Sequence, residues 1–224
     1  MTRTPETAVT ARVTPDVTGM KIAHRGMLAD TARFARIAGA IAAGSVCGQR
    51  RADAIAEYVD LLCDSIHHHH SIEDDIVWPI LVASAGSAID VHELSDDHVQ
   101  LDAVLATLRE RATGFRAAGA DRRRAAGDLS VALDSAHALL AEHIGEEEKI
   151  VFPVVDRYVG VAEWDRVEQA AKKGGDMRFE VPRVVRYADE RELAKMRAEA
   201  GVVIRLMLKV LVRSFDKREA IIAG

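Results

Sequence analysis

The sequence of 224 residues predicts an all-α protein, an up-down-up-down antiparallel four-helix bundle with a C-terminal helical appendage. Three observations predict this fold. Apolar residues recur at helical spacing over four long stretches, and glycine-containing breaks separate these stretches. A histidine and glutamate pattern in the first half also recurs in the second half. We expect a flexible N-terminal tail at 1–17, the bundle at 18–158 and a helical extension at 159–224.

The three breaks lie where the histidine pattern requires the chain to reverse. If the repeated histidines meet at one level of antiparallel helices, the chain must turn back midway between successive ones. A glycine stands within three residues of each midpoint, and glycine favours helix ends. We therefore expect turns at residues 44–48, 83–86 and 119–121.

The histidines of the repeat share helix faces with apolar residues. His98 is in helical register with Leu101 and Leu105, and His143 is in register with Leu140. The side chains of these histidines are therefore expected to point into the core of the bundle. Their spacing from the midpoint turns puts them nearer the end of the bundle that holds the turn at 83–86.

Composition and charge exclude several classes of protein. The formal net charge is −5, and charges of both signs are interspersed, which gives no case for nucleic-acid binding. The N-terminus lacks the apolar segment of a secretory signal, and no apolar run approaches transmembrane length. Cys47 and Cys63 form no CxxC motif. A cytoplasmic protein is expected.

The repeat itself predicts a site for two metal ions. In each half a first histidine is followed at the same distance by a second, and a glutamate stands four residues later on the same helix face. Imidazole and carboxylate without thiolate suit iron, manganese or zinc. These donors are fewer than two octahedral ions require, which leaves room for a bridging oxygen and an exchangeable ligand. The six candidate metal ligands are His24, His69, Glu73, His98, His143 and Glu147.

The run of four histidines at 67–70 leaves a choice of register. His70 and Asp74 have the same i,i+4 spacing as His69 and Glu73. We prefer His69, because Glu73 precedes a Trp-Pro pair at the distance at which Glu147 precedes Phe-Pro. The other three histidines of the run are expected to be exposed or to lie behind the ligands.

Two prolines follow the glutamates of the repeat. Pro79 and Pro153 each stand six residues after a glutamate, and proline removes a backbone donor, so each helix is expected to kink or fray there. Trp78 and Phe152 immediately precede them. These two rings either line the near end of the metal pocket or simply close the core.

The motifs resemble those of a known family. His24, HHHHSIEDDIVWP, His98 and AEHIGEEEKIVFP are similar to the metal-binding motifs of hemerythrin-like (HHE cation-binding) domains of the bacterial type, over roughly residues 18–158. The resemblance implies a non-haem di-iron centre, with two iron ions bridged by an oxo group and by carboxylates. It makes the four histidines of the repeat terminal ligands, and Glu73 and Glu147 bridges.

One departure bears on function. Oxygen-carrying hemerythrins have a second histidine on the third helix, as H-x3-H, where this sequence has Asp102. This argues against a reversible oxygen carrier. Asp102 either adds an oxygen ligand or forms a salt bridge beside the centre.

Three functions remain open. The leading expectation is a di-iron protein that binds or reacts with dioxygen, nitric oxide or peroxide. The alternative is an iron- or redox-responsive module that signals through its C-terminal helix without turnover. A helical interaction protein without metal is the third. Whether the protein is an enzyme is left open.

The C-terminal extension is expected to contain three helices. A short helix at 163–173 precedes a non-periodic linker at 176–187, and a charged helix at 188–200 follows. In the last helix Arg205, Lys209 and Arg213 form a basic stripe on an otherwise apolar cylinder. This helix either packs on its own domain with the charges outward or meets a membrane surface, a partner or the second chain of a homodimer.

Overall fold

The computed structural model describes residues 13–199 and 202–224, with the side chains of 199–206 outside the description. All the secondary structure of the described residues is helical, which confirms the predicted class. None of their helices is both long and apolar enough to cross a membrane. The tail expected at 1–17 lies mostly outside the described residues.

Four long helices form the bundle. They are α1 (Thr18–Ala42), α2 (Gln49–Ile72), α4 (His92–Ala117) and α5 (Arg122–Tyr158), with a short α3 (Trp78–Ala85) between α2 and α4. Helix α5 packs against both α1 and α4, and α4 packs against α2. The predicted four-helix bundle is confirmed.

The reversals occur at the predicted glycines. Gly44, Gly86 and Gly119 have backbone φ angles of 119°, 54° and 52°. L-residues with a Cβ atom rarely adopt this region, and glycine adopts it readily. Each of these glycines therefore ends a helix where the chain must turn back.

The two prolines affect their helices differently. A π-helical turn, Glu73–Val77, follows α2, and the Trp78 amide donates to the Glu73 carbonyl, five residues back. Pro79 has no N–H for the Asp75 carbonyl, so an α-helical ladder cannot continue there. Helix α5, by contrast, runs through Pro153 to Tyr158. The expected break thus occurs at Pro79, and α5 does not end at its proline.

The interior contains two hydrophobic clusters. The larger one fills most of the bundle and includes Phe34, Leu62 and Phe115. The smaller one lies at the α3 end and includes Leu81 and Val151. Along each long helix the residues of the histidine and glutamate repeat separate the two clusters, so a buried polar layer divides the core.

The C-terminal extension packs on the bundle. It contains α6 (Val161–Gly174), α7 (Met177–Tyr187), α8 (Glu190–Glu199) and α9 (Val202–Ala223). Helix α7 lies against α1, and α9 lies against both α2 and α7. The extension therefore covers the side of the bundle formed by α1 and α2.

The linker expected at 176–187 is wrong, because these residues form α7. Asp176 caps this helix by accepting a hydrogen bond of 2.8 Å from the Arg178 amide. The buried face holds Phe179 and, four residues later, Arg183. A buried arginine interrupts the apolar period that normally reveals a helix, which explains the error.

The described part of α9 has its charges outward. Lys209 and Arg213 are exposed, whereas Phe215 and Ile222 are buried against the rest of the chain. The side chain of Arg205 lies outside the description. This arrangement agrees with a helix that packs on its own domain.

Candidate metal centre

The polar layer brings together histidines from all four long helices. His24 of α1, His98 of α4 and His143 of α5 are almost completely buried. His69 of α2 is 16% exposed. The four side chains meet at one level, as the repeat predicts, between the two hydrophobic clusters.

The donor atoms form two groups, and the donor atoms of each group lie within 4.8 Å of one another. Glu73 belongs to both groups, so its two oxygens are placed to serve two different ions. The first group contains His24, His69, Glu73 and Glu147, and the second contains His70, Glu73, His98 and His143.

The first group is closely spaced. Nε2 of His69 lies 2.7 Å from Oε1 of Glu73, and Nε2 of His24 lies 3.3 Å from Oε2 of Glu147. The two Nε2 atoms are 3.0 Å apart. Metal–nitrogen bonds of about 2.1 Å at right angles would separate two ring nitrogens by about 3.0 Å, so the spacing suits ligands of one ion.

The second group has similar spacing. Nε2 of His98 lies 3.1 Å from Nε2 of His143 and 3.5 Å from Oε2 of Glu73. The ring of His70 stacks on that of His98, with 4.3 Å between centroids. All four side chains are at most 5% exposed.

His70, which was expected to be exposed or to lie behind the ligands, is instead buried among the candidate donors of the second group. It is 3% exposed, and neither of its ring nitrogens has a hydrogen-bond partner. Glu73 is four residues after His69 and three after His70, and both spacings place side chains together on a helix. The His-His-x-x-Glu spacing of residues 69–73 could have predicted that both histidines lie beside Glu73. The repeat obscured it, because the second half has Ile144 at the matching position.

The remaining candidates lie outside both groups. Nδ1 of His67 is 3.0 Å from Oδ1 of Asp102, and both side chains are exposed. Nε2 of His68 lies 3.4 Å from the Ala171 carbonyl oxygen. The expectation was therefore right for His67 and His68, and Asp102 takes the salt-bridge role.

Three histidines of the centre have a carboxylate at the ring nitrogen that faces away from it. Such a carboxylate accepts the Nδ1–H, holds the ring in place and leaves the Nε2 lone pair available for a cation. Sequence reasoning missed these partners. The Nδ1-to-oxygen distances are 2.9 Å for His24 and Glu148, 3.0 Å for His98 and Asp74, and 3.4 Å for His143 and Asp97. The first and third of these pairs are hydrogen bonds, whereas the approach of His98 to Asp74 lacks hydrogen-bond geometry.

The two glutamates of the centre are buried without conventional partners. Glu73 and Glu147 are 1% and 0% exposed, and none of their four oxygens has a well-formed hydrogen bond. Even the 2.7 Å approach of His69 to Glu73 lacks hydrogen-bond geometry. Carboxylate oxygens that converge with ring nitrogens without forming hydrogen bonds to them are the arrangement that a cation requires.

The electrostatics of the layer also fit a cation. Burial, reinforced by the Glu73 charge, raises the pKa of Glu147 well above its usual value. Burial lowers the pKa of His70 well below its usual value, which keeps that ring neutral. Burial also lowers the pKa of His24, but Glu148 and Glu73 outweigh it and raise the pKa to about 10. Metal binding should therefore release protons.

Two aromatic rings close the α3 end of the centre. Trp78 stacks on His98 at 5.9 Å, and Phe152 stacks on His24 at 6.3 Å between centroids. The Nζ atom of Lys21 lies 4.9 Å from the centroid of the Phe152 ring. The two rings thus act as pocket walls, while Trp78 also belongs to the smaller hydrophobic cluster.

Comparison with family models gives a match to the hemerythrin HHE cation binding domain over residues 16–155. Comparison with curated proteins and with solved structures gives no match. The match covers more than half of the chain, including every residue of both groups. Together with the two groups, it indicates a metal-binding, hemerythrin-like protein. The chain belongs to the hemerythrin HHE cation-binding family.

Proposed function

We propose that the protein binds two iron ions in the polar layer and there binds or reacts with dioxygen, nitric oxide or peroxide. The observation that carries this proposal is the sharing of Glu73 between two groups of converging donor atoms, in which the oxygens of Glu73 and Glu147 and both ring nitrogens of His70 are buried without hydrogen-bond partners. The first ion would be held by His24, His69, Glu73 and Glu147, and the second by His70, His98, His143 and Glu73.

The donor set supports iron. Imidazole and carboxylate donors suit iron, manganese and zinc, and neither Cys47 nor Cys63 belongs to either group. The resemblance to hemerythrin-like domains favours iron among the three. A redox-active pair of ions would supply electrons and an open coordination position for a small molecule.

The two groups differ in their access to solvent, which supports an exchangeable position in the first. The second group has three histidines, all buried. The first has two histidines, and His69 is its most exposed member. Phe152 stacks on His24 and Trp78 on His98, so a ring of each group is covered at the α3 end.

The fifth histidine changes the argument about oxygen binding. Asp102 stands where oxygen carriers have a second histidine on the third helix, and the structure pairs it with His67. His70 reaches the second group from α2 instead. The number of histidines therefore no longer argues against reversible oxygen binding.

Metal content is the primary test. We expect about two irons per chain for the wild type and for His68→Ala, whose side chain lies outside both groups. His70→Ala should lose iron from the second group, and His69→Ala from the first. Equal loading of His70→Ala and the wild type would contradict the second group, and a wild type that binds no iron would contradict the proposal.

Reactivity is the second test. The iron-loaded protein should consume peroxide or nitric oxide, or bind dioxygen with a change in its visible spectrum. Loading without any such response would favour the alternative, an iron-responsive module. One observation supports that alternative. Arg183 of α7 is hydrogen-bonded to both α1 and α2 close to the polar layer, so a change in the layer could reach the C-terminal extension.

We also propose a cytoplasmic setting. Cys47 and Cys63 are both free thiols. Burial raises the pKa of the Cys63 thiol to about 12, so this thiol is unreactive in the folded chain. Fractionation of cells followed by detection of the protein would test the location.

A further inference from the structure

A second buried polar cluster joins the C-terminal extension to the bundle. At its centre is Asp30 of α1, which is 0% exposed. Oδ2 of Asp30 accepts hydrogen bonds of 2.9 Å from the Tyr58 hydroxyl and from Nε of Arg183. Oδ1 accepts from the Tyr187 hydroxyl and, at 3.1 Å, from Nη2 of Arg33. Donors from α1, α2 and α7 thus converge on one carboxylate.

Arg183 crosses the seam between α1 and α2. Its Nη1 donates to Oγ of Ser65 on α2 at 2.8 Å, while its Nε bonds Asp30 on α1. Ser65 stands about one helical turn before His69, and Asp30 less than two turns after His24. A single α7 side chain therefore connects the two helices close to their ligands.

Helix α1 has no Cβ atom where α7 approaches it most closely. A Cβ on Gly26 would lie 3.1 Å from Cδ2 of Tyr187 and 3.3 Å from Nη2 of Arg183. Glycine is unfavourable inside a helix, so its place here is explained by this contact. Gly26 is only two residues after His24. Helix α7 therefore packs on the segment of α1 that contains a candidate metal ligand.

Two polar junctions join α1 to α2, beside apolar contacts such as that between the rings of Phe34 and Tyr58. These helices pack on each other much less than α1 packs on α5 or α2 on α4. Across the seam they are joined by the metal layer, through His24 and His69, and by the cluster around Asp30. A change in the distance between α1 and α2 at one junction therefore changes their distance at the other.

We propose that Arg183 is a positioning residue for the metal centre, so that docking of α7 and occupancy of the centre favour each other. The inference rests on the proposed function, since it requires a metal that holds α1 and α2 together. Arg183 touches no ligand and acts through Asp30 and Ser65. Because such coupling is reciprocal, removing Arg183 weakens metal retention, and removing metal loosens α7.

The first experiment measures release of ferrous iron to a chelator from the full chain under anaerobic conditions. Arg183→Met should release iron about tenfold faster than the wild type, within the usual range of coupling between sites. Arg178→Met, on the same helix but exposed, is the matched control and should behave as the wild type. Arg183→Lys keeps a charge for Asp30 and should restore part of the retention.

The second experiment measures amide hydrogen exchange of residues 177–187 with and without iron. In the wild type, iron should slow this exchange, an effect that a purely structural contact would not produce. The milder Tyr187→Phe removes one donor to Asp30 and should reduce the iron-dependent protection. This variant serves if Arg183→Met does not fold.

The outcomes separate the inference from the proposed function. A chain that binds two irons but releases them at the same rate with Met or Arg at 183 overturns the inference alone. Exchange in α7 that does not respond to iron also overturns it. A chain that takes up no iron overturns the proposed function and the inference together.

Discussion

The bundle contains two buried acidic clusters that neutralise their charge in opposite ways. Asp30 is hydrogen-bonded by four side chains, two of them arginines. Glu73 and Glu147 are equally buried, yet the ion pairs of the described residues join them only to histidines. One cluster contains permanently charged arginines, whereas the other contains only histidines, whose protons a bound metal ion displaces.

The difference shows what each cluster is for. A buried carboxylate is costly unless a positive group or a set of donors compensates it. The carboxylate of Asp30 is satisfied within the chain, and its hydrogen bonds hold α7 in place. The metal layer gathers ring nitrogens and carboxylate oxygens instead, a set that an added cation completes.

The largest effect is expected where the two metal groups share a residue. Glu73→Gln replaces a charged oxygen with an amide in both groups, so the chain should lose both irons in a metal assay. Asp75→Asn, an exposed neighbour in the same π-helical turn, should keep about two irons. Full loading of Glu73→Gln would show that the carboxylate is not shared.

The next effect is expected in the self-contained cluster. Asp30→Asn leaves Arg183 buried without its main partner, which should lower the free energy of unfolding by about 3–5 kcal/mol. Urea titration with and without iron measures this loss, which should appear in both states. Asp134→Asn, at an exposed position, is the control. If the two variants were equally stable, the ion pairs of Asp30 would not stabilise the fold.

A smaller effect is expected for the carboxylate behind His24. Glu148→Gln weakens the hydrogen bond that orients the ring, so iron affinity should fall by about 10–100-fold while two sites remain. Competition with a chelator measures the change. The exposed Glu146→Gln on the same helix should retain wild-type affinity, and a similar loss there would indicate a general charge effect.

The smallest effect is expected at an exposed ion pair. The hydrogen bond from Lys195 lowers the pKa of Asp16 to about 2. A depressed pKa stabilises the fold above the unfolded value of 3.8, and the contribution disappears as pH falls from 3.8 towards 2. Because both side chains are about half exposed, Asp16→Asn should cost less than about 1 kcal/mol at neutral pH. Thermal unfolding of the wild type and the variant at pH 7 and pH 2 tests this. A loss greater than about 1 kcal/mol at pH 7 would contradict the weak contribution expected of an exposed ion pair.

The repeat made much of the fold predictable from sequence. The spacing of four histidines located three turns, and each turn contains a glycine with positive φ or ends beside one. The same spacing put His24, His69, His98 and His143 at one level. These predictions depend on helix geometry alone, which sequence distance measures directly.

What the sequence did not reveal depends on contacts between distant segments. His70 has no counterpart in the second half, so comparison of the halves concealed it. Asp97 and Glu148 were missed because their importance lies in meeting a histidine of another helix. Helix α7 was missed because its buried residue is an arginine, whose partner Asp30 is far away in sequence.

The division of the core by a polar layer has a consequence for unfolding. The residues above and below the layer form separate hydrophobic clusters that share few apolar contacts across it. Without metal, the smaller cluster around α3 and the end of α5 should open as a local unit before the rest of the bundle melts. Metal ions bonded to four helices would tie the two units together, so the same chain should change from stepwise to all-or-none melting as it is loaded.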